Sequence, residues 1–163
     1  TVKSAWSQVE NQYQRRYDLI PNLVAAVKGA AAFEKGVLEE VTKARASVGQ
    51  IKVSPEMLSN PAQFAQFSQA QDTLGSALSR LMVVVEKYPD LKSNQNFLAL
   101  QTQLEGTENR VSVERHRYNE EVQKYNSRVR RFQTVLVAKM GGFGAKEYFK
   151  VSGEAAQAPK VQF

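Results

Sequence analysis

The sequence predicts an all-α protein: an elongated, antiparallel, up-and-down bundle of three long helices with one or two short helices. In three long segments the apolar residues recur at steps of three and four, which is the spacing of one helical face. Proline and glycine fall between these segments, where they end helices. No segment with strand periodicity is long enough to compete. With 163 residues and 42% hydrophobic content, the chain should form one core.

The first helix is predicted over residues 2–48, where apolar residues keep a single helical phase. Pro21 lies inside this segment, where its ring removes a backbone hydrogen bond and presses on the preceding turn. Because the apolar phase is the same on both sides of Pro21, we predict a kinked continuous helix rather than a chain reversal. Gly49 is the expected C-cap.

The second helix is predicted to begin at Pro61 and to end at Pro89. The loop before it, residues 50–60, contains a Ser-Pro and an Asn-Pro pair and should include a single turn of helix. The third helix is predicted over residues 94–139, the longest run without proline or paired glycine. A short connection separates these two helices, so we expect them to be antiparallel neighbours.

The predicted bundle ends at residue 140. Residues 141–163 begin with a cluster of glycines that should stop the third helix and act as a hinge. A further turn of helix is predicted over residues 146–150, followed by a flexible or surface-laid C-terminal tail.

The predicted helices have unequal lengths. At about 1.5 Å per residue, the first and third span roughly 65 to 70 Å and the second roughly 40 Å. Either the first helix bends or breaks near Pro21, or the uncovered apolar residues around Trp6 and Tyr13 pack against the C-terminal segment, a partner or a second copy. The sequence leaves these alternatives open.

Charged residues interrupt the apolar stripe of the first helix. Arg16, Glu34 and Arg45 project within about 20° of Val27, in the middle of the stripe. An unpaired buried charge costs several kcal/mol, so opposite charges should meet them from the third helix. The predicted buried polar network consists of Arg16, Glu34, Arg45, Glu105, Glu108, Arg115 and Asn119. On the third helix Arg115, Asn119 and Asn126 each project within about 20° of Glu108.

An ion-pair network that fixes the register of the helices is the favoured interpretation of this layer, and a polar binding site or switch is the alternative. No nucleophile accompanies Glu105 and Glu108, so we expect no catalytic residue. A di-metal site would need Glu-x-x-His motifs, but the only histidine, His116, follows Val113 at that spacing. The chain has no cysteine and no phosphate-binding glycine motif. We therefore predict neither enzyme activity nor a cofactor.

The formal net charge of +6 permits contact with anionic partners without indicating one. The densest basic run consists of Arg128, Arg130 and Arg131. Nucleic-acid binding would place aromatic and basic groups on one exposed face, but Tyr118 and Tyr125 belong to the apolar seam. We predict no nucleic-acid partner; a solvated face is favoured, with a weak contact to anionic lipid headgroups as the alternative.

Four segments resemble the LemA family. They are residues 5–29 (AWSQVENQYQRRYDLIPNLVAAVKG), 33–46 (FEKGVLEEVTKARA), 88–126 (YPDLKSNQNFLALQTQLEGTENRVSVERHRYNEEVQKYN) and 141–149 (GGFGAKEYF). The strings RRYDLIPNLV and LEGTENR, together with YN-x5-YN, are more specific than any short motif. The recurrent polar positions of the family correspond here to Arg16, Asp18, Asn22, Glu34, Arg45, Glu105, Glu108, Asn109, Arg115, Tyr118 and Asn119.

The resemblance implies a membrane-anchored bacterial helical bundle without established enzymatic activity. In such proteins a transmembrane helix or a lipoprotein signal normally precedes the bundle. No window of the present sequence approaches the ~20 apolar residues of a membrane span, so we expect that an anchor of this kind is missing from it. The leading hypothesis is a non-enzymatic scaffold or adaptor of the bacterial envelope, favoured on the periplasmic face, that contacts an envelope protein or a second copy. The alternative is a ligand-sensing module with a polar pocket at the charged layer.

Overall fold

The computed structural model describes residues 1–30 and 33–150, apart from the side chains of residues 132–134. It consists of helices, with no strand in the described part, so the predicted all-α up-and-down bundle is confirmed. The helices are α1 (Val2–Lys28), α2 (Lys35–Gly49), a 3₁₀ helix (Pro55–Ser59), α3 (Pro61–Val85), α4 (Pro89–Lys92), α5 (Gln95–Val129) and α6 (Phe132–Met140).

Four of these helices form the bundle and alternate in direction. The N-terminal amino group of Thr1 pairs with Glu121, and Arg16 pairs with Glu108, so α1 and α5 are antiparallel neighbours. An ion pair between Glu40 and Arg80 joins α2 to α3. Helices α3 and α5 also run in opposite directions, as their short connection predicts.

The prediction of one helix over residues 2–48 is wrong. Helix α1 continues through Pro21, which lies on an exposed face, but it ends at Lys28, and α2 then runs back along it. Val27 and Val41, from the two helices, are both fully buried in the same core. Because both helices turn an apolar face towards that core, the apolar phase continues across the reversal and conceals it.

The predicted third helix is also divided. Helix α5 ends at Val129, and Arg131 has an extended backbone before α6 begins. The start of α1 lies level with Glu121, so the last two turns of α5 extend past α1, and α6, which follows them, has α5 as its main helical neighbour. Its sequence, FQTVLVAKM, is rich in β-branched residues of modest helix propensity, which cannot hold a long helix in line without packing.

The core consists of two clusters stacked along the bundle. One cluster joins α1, α2, α3 and α5 around Leu23, Leu74 and Leu81. The other is aromatic; it lies at the end of the bundle where α1 begins and includes Trp6 and Phe64. At this end α2 is absent, and the 3₁₀ helix covers the core instead.

Helix boundaries follow local capping signals. Asn60 and Asn94 accept hydrogen bonds from the backbone N–H groups of Gln63 and Phe97, which caps the starts of α3 and α5. At the end of α6, Gly142 has a φ of 68°, a left-handed conformation that glycine adopts without strain. The predicted glycine cluster therefore ends a helix, and residues 143–150 form neither helix nor strand.

Candidate functional site

A buried arginine lies at the centre of the bundle. Arg16 on α1 is only 3% exposed, and its Nη1 donates to both carboxylate oxygens of Glu108 on α5, at 3.1 and 3.3 Å. Its Nη2 donates to the backbone oxygen and the side-chain Oε1 of Gln71 on α3, at 2.7 and 2.6 Å. One guanidinium therefore joins three helices through charge-assisted hydrogen bonds.

A second contact group lies along α5, towards the end of the bundle where α1 begins. Arg115 pairs with Asp72 on α3, with its Nη1 at 3.0 Å from the carboxylate. Its guanidinium also lies over the ring of Phe149, 4.5 Å from the ring centre, and donates to the backbone oxygen of Lys150. Arg115 thus connects α3 and α5 to the C-terminal segment.

Residues 146–150, which we call the strap, lie against α5 and form neither helix nor strand. The prediction of a helical turn here is wrong, because asparagine side chains take the place of intrahelical hydrogen bonds. Asn126 accepts from the N–H of Lys146 and donates to its C=O, at 2.8 and 3.0 Å. Asn119 makes the same pair of bonds to Phe149, both at 2.8 Å. The backbone N–H of Glu147 bonds the carbonyl oxygen of Leu58.

The strap places one aromatic ring in the aromatic cluster. Phe149 is 3% exposed, and its ring contacts four other rings at centre distances of 5.0 to 6.3 Å, those of Trp6, Tyr13, Phe64 and Tyr118. The strap therefore covers apolar residues of α1 that the sequence left without a partner. Of the open alternatives, the C-terminal segment provides the cover at this position. The predicted flexible tail beyond residue 150 lies outside the described residues.

Two tyrosines of the cluster are buried without a partner for their hydroxyl groups among the described residues, namely Tyr13 and Tyr118. Burial raises the pKa of Tyr13 to about 12. Burial also raises the pKa of Tyr118 above its ordinary value. Both side chains therefore stay neutral at physiological pH and act as packing groups.

Arg45 occupies a different position from the one predicted. It lies on α2, and its Nε donates to the carbonyl oxygen of Tyr17, at 3.3 Å, while its guanidinium stacks 4.0 Å from the centre of the Tyr17 ring. In an α-helix the N–H of residue 21 would bond this carbonyl, but Pro21 has no N–H. Arg45 therefore satisfies the carbonyl that Pro21 leaves without its helical partner.

Glu34 and Glu105 lie outside this group, and both are exposed. Glu34 is the N-cap residue of α2, at the chain reversal that the sequence did not predict. Glu105 is about 100° around the helix from buried Leu104, whereas Glu108 is only about 40° from it. The structure therefore brings together Arg16, Glu108, Arg115 and Asn119, and it leaves Glu34, Arg45 and Glu105 elsewhere.

Sequence reasoning did not assign several residues of the site. Gln71 falls in the apolar seam of α3, and a polar residue at a seam position was the available signal. Asp72 follows it and carries no such signal. Phe149 belongs to a segment too short and too glycine-rich for periodicity to place it.

A groove between α3 and α5 exposes part of this layer. Its volume is about 850 Å³, and its lining includes Arg16, Gln71, Glu108, Arg115 and His116. In the part of the chain that the structure describes, no group of three or more His, Asp or Glu residues could hold a metal ion. No described helix is long and apolar enough to cross a membrane.

Comparison with known proteins gives a family and three relatives. A family model described as the LemA family matches residues 5–163. Magnetosome protein MamQ of Magnetospirillum gryphiswaldense is 28% identical over 159 residues, which cover 88% of this chain and 58% of the relative. Magnetosome proteins MamQ 1 and MamQ 2 of Paramagnetospirillum magneticum are each 28% identical over 160 residues. In both cases these residues cover 88% of this chain and 59% of the relative. The chain thus spans less than two thirds of these relatives.

Proposed function

Because the chain belongs to the LemA family, we propose that it is a non-enzymatic, membrane-tethered helical scaffold or adaptor of the bacterial envelope. It acts through protein contacts, and the periplasmic face is the favoured location. The observation that carries the proposal is an exposed apolar surface on α6 and the turn after it, formed by Leu136, Val137, Met140 and Phe143.

This surface, which we call the α6 surface, has the properties of a contact site. Leu136, Val137 and Met140 follow one another at helical spacing, and Met140 is 91% exposed. Apolar side chains clustered in this way on a surface indicate a binding interface. The polar groups of the bundle support the same conclusion, because Arg16, Glu108 and Asn119 bond other parts of the chain.

The position of the surface fits a membrane tether. Thr1 lies beside Glu121, near the end of α5, so the beginning of α1 and the α6 surface share one end of the bundle. The family resemblance implies a hydrophobic segment before α1. Such a tether would hold the α6 surface close to the membrane, within reach of membrane proteins. Lys139 and Arg130, both outside the buried core, would also lie near anionic headgroups.

Site-specific photo-crosslinking in bacterial membranes tests this proposal. A photoreactive residue replaces Met140 in one variant and Val83, an exposed apolar residue of α3, in the control. We expect a discrete protein adduct from position 140 that position 83 does not give. Adducts with lipid alone, or the same adducts from both positions, would contradict an adaptor that uses the α6 surface.

A ligand-sensing module is the second candidate, and the groove between α3 and α5 favours it. Arg16 and Arg115 could bind an anionic group there, although Glu108 and Asp72 already neutralise them. Native mass spectrometry of the protein purified from membranes tests this candidate. If the protein is a sensor, its mass should exceed the sequence mass by that of a bound small molecule, and the Arg16→Met/Glu108→Leu variant should lack this excess. If it is an adaptor, its mass should equal the sequence mass.

A further inference from the structure

The strap lies in a groove between α5 and the 3₁₀ helix, and most of the hydrogen bonds that this strap groove makes go to backbone atoms of the strap. Asn119 and Asn126 each bond both the N–H and the C=O of one strap residue, so these four hydrogen bonds require no particular side chain. The N–H of Glu147 bonds Leu58 on the opposite side. A segment held by backbone bonds on two sides resembles a bound peptide more than a packed helix.

The spacing of the two asparagines matches an extended chain. They are seven residues apart on α5, which corresponds to about 10.5 Å along a helix. Lys146 and Phe149 are three residues apart, which corresponds to about 10 Å in extended form. Two helical turns therefore accept one extended segment, and an aromatic ring at its end enters the cluster around Trp6.

The strap is tethered to the bundle by a connection with few contacts. Among the side chains that the structure describes in α6, only Ala138 is buried. The chain changes direction at Arg131 and again at Gly142. If the turn at residues 141–145 were drawn out, these five residues and the nine helical residues of α6 would span roughly 30 Å, enough to carry the strap outside its own bundle.

We propose that the strap exchanges between two copies of this chain, so that the groove of each copy binds the strap of the other. A second copy fits this groove because it carries the same segment. The contacts are identical within and between chains, so the balance depends on protein concentration relative to the effective concentration of the tethered strap. This proposal goes beyond the proposed function because it does not use the α6 surface.

Crosslinking between two single-cysteine variants of the whole chain tests the exchange. The protein has no cysteine of its own, and the Lys146 ammonium contacts the hydroxyl of Ser59. Ser59→Cys and Lys146→Cys chains are mixed at high concentration and treated with a short bismaleimide. The double variant in one chain should give an internal product, which checks the reach of the reagent.

Exchange predicts a heterodimer of the two chains in at least about tenfold higher yield than a control pair. The control replaces Ser59→Cys by Val83→Cys, which is exposed but lies away from the strap and so reports random collisions. Equal yields from the two pairs would overturn the proposal.

A second variant tests whether the heterodimer reports on the strap. Adding Phe149→Ala to the Lys146→Cys chain removes the buried ring and should abolish the heterodimer. Tyr148→Ala, which changes the exposed neighbouring ring, should leave the heterodimer unchanged. A heterodimer that survives Phe149→Ala would also overturn the proposal, because it would not depend on the groove.

Discussion

The pair of Arg16 and Glu108 allows a quantitative test of the polar layer. We consider three variants: Arg16→Met, Glu108→Leu and the two together. Each single change leaves one member of a partly buried pair without its partner, whereas the double change replaces the pair by apolar side chains of similar size. We expect both single variants to lose stability and the double variant to lose less than the two single losses added together.

The burial of the two side chains sets the magnitudes. Arg16 is 3% exposed, so Glu108→Leu leaves a buried cation without its carboxylate. Removing one partner of a fully buried pair costs about 3 to 5 kcal/mol of unfolding free energy. The Glu108 side chain is 38% exposed and Gln71 still accepts from Arg16, so we expect about 2 kcal/mol. Arg16→Met leaves the Gln71 side chain without its donor, which costs about 1 to 3 kcal/mol. The double variant still leaves Gln71 without its donor, so it should lose about 1 to 3 kcal/mol of unfolding free energy, less than the two single losses together.

Urea unfolding followed by circular dichroism measures the four free energies of the cycle. The exposed pair of Glu40 and Arg80 provides a matched control, for which we expect a coupling of about 0.5 kcal/mol or less. If the effects of Arg16→Met and Glu108→Leu simply add, the two groups are not coupled and the layer does not fix register. A Glu108→Leu variant as stable as the wild type would also refute the reasoning, because buried Arg16 would then need no carboxylate partner.

Two further predictions concern α1 and the aromatic cluster. Arg45→Met should cost about 1 to 2 kcal/mol of unfolding free energy, because it removes the hydrogen bond to Tyr17 and the stacking on its ring. In a Pro21→Ala background the alanine supplies the missing N–H, so the same change should cost about 1 kcal/mol less. Equal losses in both backgrounds would contradict the role given to Arg45. Burial raises the pKa of Tyr118 in the folded protein. Its contribution to the unfolding free energy is therefore fully present below the unfolded pKa of about 10 and is lost as pH rises through the folded pKa. Tyr118→Phe should therefore leave stability at pH 7 unchanged or improved and reduce its loss above pH ~10, as urea midpoints at the two pH values would report.

The helical faces could be predicted from spacing, but the connections could not. On α5 a rotation of about 100° per residue correctly placed Glu108, Arg115 and Asn119 on one side, because a helix fixes the relative directions of its own side chains. The reversal before α2 was missed because both helices pack apolar faces into one core. Because α2 runs back from this reversal, Glu34 and Arg45 lie outside the polar network in which one continuous helix would place them.

The strap could not be predicted for a related reason. Its contacts to Asn119 and Asn126 involve backbone atoms, which every residue has, so its own sequence carries no periodic signal. The signal lies on the other side of the contact, in two asparagines placed seven residues apart on a buried edge of α5. Buried amide groups must find hydrogen-bond partners, so this pair indicates that some other segment of chain lies beside the helix, but it does not say which one.

Three arginines of the bundle bond main-chain atoms of other elements. Arg16 bonds the carbonyl of Gln71, Arg45 that of Tyr17 and Arg115 that of Lys150. A main-chain atom cannot be changed by substitution, so these bonds constrain the arginine more than the residue that it meets, although Gln71 also accepts from Arg16 through its side chain. Side chains committed in this way hold the helices and the strap together and are not available to a partner, which is why we propose the exposed apolar side chains of α6 as the contact surface.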